Sequence, residues 1–201
     1  MRKKEGDKSN EILNAATQVF ARDGFDKAQV AAISTAAGVG TGSIYLYFTG
    51  KADILRALFS RFWDHLAKEM ANLETSDPLL RLNDQLGLFF DRLAVNRDFA
   101  RTYLRDHHRF LEFADLESKQ GYLSCVEQGR NAFLEIAASH NAHETPPGNE
   151  STDLSQSILF GGVRASLEHL LTSELPAARV RSRMLTMAMA GILAATRENE
   201  P

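Results

Sequence analysis

The chain has 201 residues, 44% of them hydrophobic and 24% charged, with a formal net charge of −3. This balance supplies a sizeable core and excludes a disordered or collagen-like chain, and the length suits one domain or a small module joined to a larger one. The single cysteine, Cys125, excludes an internal disulfide and fits a reducing compartment.

Met1-Arg2-Lys3-Lys4 is followed by Glu5-Gly6-Asp7-Lys8 and not by an apolar stretch, so no secretory signal is expected and a cytoplasmic location is. Residues 1–51 hold seven basic and five acidic side chains, a slightly basic head on an acidic body. That asymmetry suits a protein that touches phosphate at one end. Ile12, Leu13, Ala16, Val19 and Phe20 form one apolar stripe at the helical period, so the spacing predicts a helix from Ser9 to Asp23 closed by Gly24.

Two short helices are expected next, over Gln29–Ala36 and Thr41–Phe48, joined at Ala37-Gly38-Val39. Gly38 can take the positive φ of a sharp turn, Val39 fills the corner, and Ile44 and Phe48 share an inward face. Thr41, Gly42, Ser43, Tyr45 and Tyr47 are left toward the free face, where a recognition helix meets the major groove. Lys51 stands at the next helix start, placed to meet a backbone phosphate. Gly38-x-Gly40-x-Gly42 also resembles a dinucleotide loop, but such a loop follows a buried strand, and the residues before Gly38 are alanine-rich and helical in pattern.

A long amphipathic helix follows from Lys51 to about Leu73, then helices at about 79–95, 99–113 and 115–139. Pro146-Pro147-Gly148-Asn149 marks a loop over Asn141–Asp153, and two last helices are expected at about 154–173 and 177–198. The longest apolar run, about 184–195, falls short of the roughly 20 residues that cross a bilayer. No strand is expected.

The head resembles the DNA-binding domain of the tetracycline-repressor (TetR) family. The matching residues are Ile12-Leu13-x-Ala15-Ala16-x-x-Val19-Phe20-Ala21-x-x-Gly24-Phe25, Ile33-x-x-x-Ala37-Gly38-Val39, Gly42-x-Ile44-Tyr45-x-Tyr47-Phe48-x-x-Lys51 and Ile54-Leu55. The resemblance implies an all-α fold of about nine helices, with a DNA-binding domain at 1–50 and a ligand-binding and dimerisation domain at 51–201. It implies a homodimer on pseudo-palindromic operator DNA, a repressor released by a small hydrophobic effector, and DNA contacts at Thr41, Gly42, Ser43, Tyr45, Tyr47 and Lys51. Ala28 replaces the family's usual Thr or Ser, which leaves that contact to Gln29, and Gly50 sits in a slot that is usually polar.

Asp153-Leu154-x-x-x-Ile158-x-Phe160-Gly161-Gly162-Val163 with Glu168 is similar to the fatty-acid-metabolism regulators of that family, which implies a long-chain acyl-coenzyme A effector. Candidate lining residues are Phe59, Phe62, Trp63, Phe89, Phe90, Leu93, Tyr103, Phe110 and Tyr122, with Arg101 and Arg105 from a basic cluster for the phosphates. Plain core and a solvated face remain open readings of the same residues. Ile158, Gly161, Gly162, Ala165, Leu170, Met187, Gly191 and Ala194 are candidate dimer contacts, since small residues permit close helix approach. No enzyme motif occurs, His107-His108 point apart on a helix, and no cofactor or metal is expected. A helical ligand-binding or adaptor protein without DNA binding is the alternative.

Overall fold

The structure is a computed structural model that describes residues 5–140, 162–169, 171–172, 178–180, 182–183 and 186. The expected loop over 141–153 lies outside the described residues, as do Ile158, Gly161, Leu170, Met187, Gly191 and Ala194 and most of the last two expected helices. The fold is all-α: seven helices run in order up to His140, and the described residues hold no strand. They are α1 (Glu5–Lys27), α2 (Val30–Ala36), α3 (Thr41–Ile44), α4 (Lys51–Ala71), α5 (Pro78–Val95), α6 (Arg97–Phe113) and α7 (Gln120–His140). Residues 162–169 are also helical, with Val163 and Leu167 buried, Gly162 half-buried and Ala165 exposed.

The chain divides into two compact units, one of residues 1–65 and 96–122, the other of 66–95 and 123–201. In the first unit the α1 stripe of Ile12, Leu13, Ala16, Val19 and Phe20 is buried, together with Ile33, Ile44, Phe48, Ile54, Leu55, Phe59, Phe99 and Phe110. In the second, Leu66, Met70, Leu82, Leu86, Phe89, Phe90, Leu93, Phe133 and Ile136 are buried. Arg81 pairs with Glu135 and Arg92 with Glu69 around that core.

Helix ends follow local chemistry. The Asp77 carboxylate accepts the Leu80 N–H at 2.8 Å while Pro78 occupies the first helical position, where its missing N–H costs nothing. Asn96 caps α6 by accepting the Phe99 N–H at 3.0 Å. Three boundaries depart from the sequence expectation. α1 carries on to Lys27, but Gly24, at φ 78° and ψ 158°, breaks its helical path where a cap was expected. α3 proper is four residues, and the expected continuation to Phe48 is a tighter turn closed by Tyr47 and Phe48 N–H bonds to the Ile44 carbonyl. α7 begins at Gln120 rather than near 115, because the Asp115 carboxylate accepts the Ser118 N–H at 2.8 Å and holds a separate turn.

That turn brings α7 hard against α4. The Ser60 hydroxyl donates to the Ser118 carbonyl at 2.9 Å. A Cβ at Gly121 would lie 2.5 Å from Asp64 N and 2.7 Å from the Trp63 carbonyl carbon, so only glycine permits this approach. Gly121→Ala should therefore destabilise the chain by about 1–3 kcal/mol through overpacking against main chain. Urea unfolding checks this, and an unchanged midpoint would contradict the close approach.

Candidate nucleic-acid interface

Residues 30–48 form a helix-turn-helix. Gly38, at φ 66°, closes α2. The Val39 N–H bonds the Ser34 carbonyl at 3.0 Å and the Gly38 N–H the Thr35 carbonyl at 3.2 Å, the paired pattern of a left-handed helix cap. The chain is thereby turned so that Ile44 and Phe48 enter the core and their neighbours do not.

What remains outside is a polar and aromatic ridge. Thr41 and Gly42 are exposed and Ser43 is half-buried. Tyr45 is 57% exposed and Leu46, a residue the sequence reading passed over, is 81% exposed. Tyr47 is half-buried. A Cβ at Gly42 would meet nothing within 4 Å, so another surface can approach the main chain there. Gln29 is exposed at the start of α2, and its side chain makes no cap bond. Thr41 is also held from behind: its hydroxyl oxygen lies 2.9 Å from Ser34 Oγ.

Lys51, expected to face a phosphate, turns inward instead. Its ammonium donates to the Phe25, Asp26 and Ala28 carbonyls at 3.0, 2.9 and 3.3 Å and sits 4.8 Å above the Phe25 ring. Helix ends leave carbonyls without partners and carry partial negative charge, so a cation is well placed there.

α6 grips the same region. Arg105, expected to serve a ligand phosphate, donates to the Phe20 carbonyl and to Asp106. The buried Asp106 carboxylate accepts the Phe25 N–H at 3.3 Å, and Arg109 meets Asp26 with both oxygens at 2.8 Å. Arg101 pairs with Asp98 at 2.9 Å on an exposed face. Arg105 and Arg109 of the basic cluster thus clamp the end of α1, with Asp106 beside them, and Arg101 does not take part.

A second network leaves the recognition segment. Asp53 accepts from the Thr49 N–H at 2.9 Å and from Arg56, which also reaches Asp115 at 3.2 Å. Burial pushes the Asp53 carboxyl up, but Arg56 and Thr49 outweigh it and hold it below the usual carboxylate range. Asp115 is held low first by the Ser118 N–H and then by Arg56.

Of the candidate ligand residues, the structure gathers Phe59, Phe62, Trp63, Tyr103, Phe110 and Tyr122 in the first unit, around Phe99 and His107. Phe62 stacks on Phe99 with centroids 4.5 Å apart. Phe89, Phe90 and Leu93 belong to the second unit. No group of three or more His, Cys, Asp or Glu able to hold a metal occurs among the described residues.

Residues 12–58 match the model of the tetR family of bacterial regulatory proteins. The chain is 31% identical to the fatty acid metabolism regulator protein of Bacillus subtilis over 132 residues, 62% of this chain and 67% of that protein. Two further curated relatives, both 32% identical, are matched over about half their length (51%). Among solved structures, the fatty acid degradation regulator FadR of Bacillus halodurans superposes with a TM-score of 0.74 at 25% identity, covering 92% of this chain and 96% of that one. FadR of Bacillus subtilis, solved in complex with stearoyl-CoA, gives 0.70 at 22% identity, covering 90% and 98%.

The inward Lys51 predicts a loss that needs no DNA. Lys51→Met keeps the stem but strips three carbonyls of their donor, and should lower stability by about 1–2 kcal/mol. Urea unfolding of the free protein reads this directly; unaltered stability would return Lys51 to a surface role.

Proposed function

The chain belongs to the tetR family of bacterial regulatory proteins, and from that premise we propose that it is a dimeric repressor whose α3 segment enters the major groove of a pseudo-palindromic operator. The observation that carries this reading is the sidedness of that segment. Ile44 and Phe48 anchor it, while Thr41, Gly42, Tyr45 and Leu46 stand free. Hydroxyls and aromatic edges so placed can meet phosphates and base edges, and the bare Gly42 main chain allows close approach. Two copies held about 34–36 Å apart would fit successive grooves on one face of the duplex. Gln29, Thr41, Gly42, Ser43, Tyr45 and Tyr47 form the contact set; Lys51 acts by fixing the end of α1.

The functional division is residues 1–50 for DNA and 51–201 for effector and dimer. Gly162 and Ala165, with Ile158, Gly161, Leu170, Met187, Gly191 and Ala194, are proposed for the dimer contact. A long-chain acyl-coenzyme A is the proposed effector. The likeness to a fatty acid metabolism regulator and to a regulator solved with stearoyl-CoA supports it. The lining is proposed to come from the aromatic group of the first unit, Phe59, Phe62, Trp63, Tyr103, Phe110 and Tyr122. Arg101 is the better cation for the head group, because Arg105 is committed to the Phe20 carbonyl. Shifting a 1:99 population to 99:1 needs about 5.5 kcal/mol of differential binding. Burial at about 0.8 kcal/mol per methylene puts that within reach of a long acyl chain.

The protein acts in the cytoplasm by binding rather than catalysis. Support for this comes from relatives that are regulators.

Tyr45→Ala tests the groove assignment. Against duplexes selected by the full-length protein, it should weaken binding at least about tenfold, within the roughly 1–3 kcal/mol of one well-made base contact. Helicity by circular dichroism and the oligomeric state should not change. Undiminished affinity would refute the assignment.

A further inference from the structure

Ser34 lies on α2 and is 4% exposed, so nothing outside the protein reaches it. Its Oγ stands 2.9 Å from the Ala31 carbonyl and 2.9 Å from Thr41 Oγ1. Each hydroxyl has one proton, and a carbonyl has none to give. Only one arrangement makes both contacts hydrogen bonds: Ser34 donates to Ala31, and Thr41 donates to Ser34. Reversing the second bond would leave Ser34 Oγ and the Ala31 oxygen facing each other at 2.9 Å with no proton between them. The Ala31 carbonyl also receives the Thr35 hydroxyl at 3.0 Å, which does not alter the count at Ser34.

We infer that Ser34 is a specificity-determining positioning residue, which draws the Thr41 proton inward so that Thr41 offers the groove only lone pairs and a methyl group. This rests on the reading of the α3 segment as the groove-facing element. A hydroxyl whose proton is spent can meet only donors. In the major groove the base donors are the N6 amine of adenine and the N4 amine of cytosine. Guanine O6 and N7, thymine O4 and phosphate oxygens are all acceptors, so Thr41 rejects them. A freely rotating surface threonine would bond either kind and read little. The buried serine converts an ambiguous side chain into an amine reader.

The selectivity can be read by in vitro selection from a random duplex pool, using the full-length wild type, Ser34→Ala and Thr41→Val. Thr41→Val keeps the shape and removes the hydroxyl, so the position whose preference it relaxes is the one Thr41 reads. Wild type should select adenine or cytosine there. Replacing that base with its analogue lacking the exocyclic amine should weaken wild-type binding about 3- to 10-fold, the worth of one hydrogen bond, and leave Thr41→Val unaffected. Ser34→Ala, which frees the proton, should admit guanine at the same position. The analogue measurement needs the wild-type chain and Thr41→Val, in which the buried Ser34 is untouched, so it stands even if Ser34→Ala folds poorly. Selection of guanine by wild type, no relaxation in Thr41→Val, or an unchanged base preference in Ser34→Ala would overturn the inference while leaving DNA binding intact. Enrichment of no duplex by wild type would overturn the DNA-binding reading and this inference with it.

Discussion

The end of α1 is the point on which the first unit depends. Gly24 breaks the helical path, and the polar main-chain groups released there are taken up by charged side chains from two other helices. Lys51 of α4 collects three carbonyls, Arg105 of α6 takes the Phe20 carbonyl, and Asp106 accepts the Phe25 N–H. A buried main-chain group left without a partner costs about 1–3 kcal/mol. Loss of any one of these side chains is therefore a sizeable part of a domain's net stability. The charges answer a demand set by the backbone.

This makes α6 part of the unit that presents the recognition segment. Residues 96–122 fall in the same compact unit as the helix-turn-helix, and α1 packs extensively on both α6 and α2. Presentation itself is a matter of sidedness: burying Ile44 and Phe48 leaves Tyr45 and Leu46 no place but outside. The Thr49–Asp53–Arg56–Asp115 network then joins the turn after α3 to the turn after α6. A displacement of α6 would have two polar routes to the recognition segment, one through the end of α1 and one through Asp53. Differential affinity of an effector for two positions of α6 is the kind of free energy such a route can carry.

Much of the fold was legible because short-range rules decided it. The 3.6-residue stripe from Ile12 to Phe20, the turn glycine at 38 and the inward pair Ile44 and Phe48 are local patterns, and tertiary packing agreed with them. Boundaries were less legible where a side chain competed with the helix. Asp115 capturing the Ser118 N–H delayed α7, and the segment after Ile44 closed as a turn through the Tyr47 and Phe48 N–H groups on the Ile44 carbonyl. At the candidate site, side-chain direction was legible from spacing, and partnership was not. Lys51 and Arg105 looked like cations for a phosphate because their carbonyl partners lie far away in the chain, 26 residues for Lys51 and Phe25 and 85 for Arg105 and Phe20. The Ser34–Thr41 pair was hidden similarly, since it exists only once the Gly38 turn folds α3 back on α2.

Native-state hydrogen exchange on the full-length protein tests most directly whether α6 and the helix-turn-helix form one cooperative body. Amides that open together share one opening free energy. The clamp at the end of α1 requires the slowest amides of α1, including Phe25, to open at the same free energy as those of α6 between Phe99 and Phe110. Were α1 to α3 to open at a distinctly lower free energy while α6 stayed protected, the head would be independent and the clamp incidental.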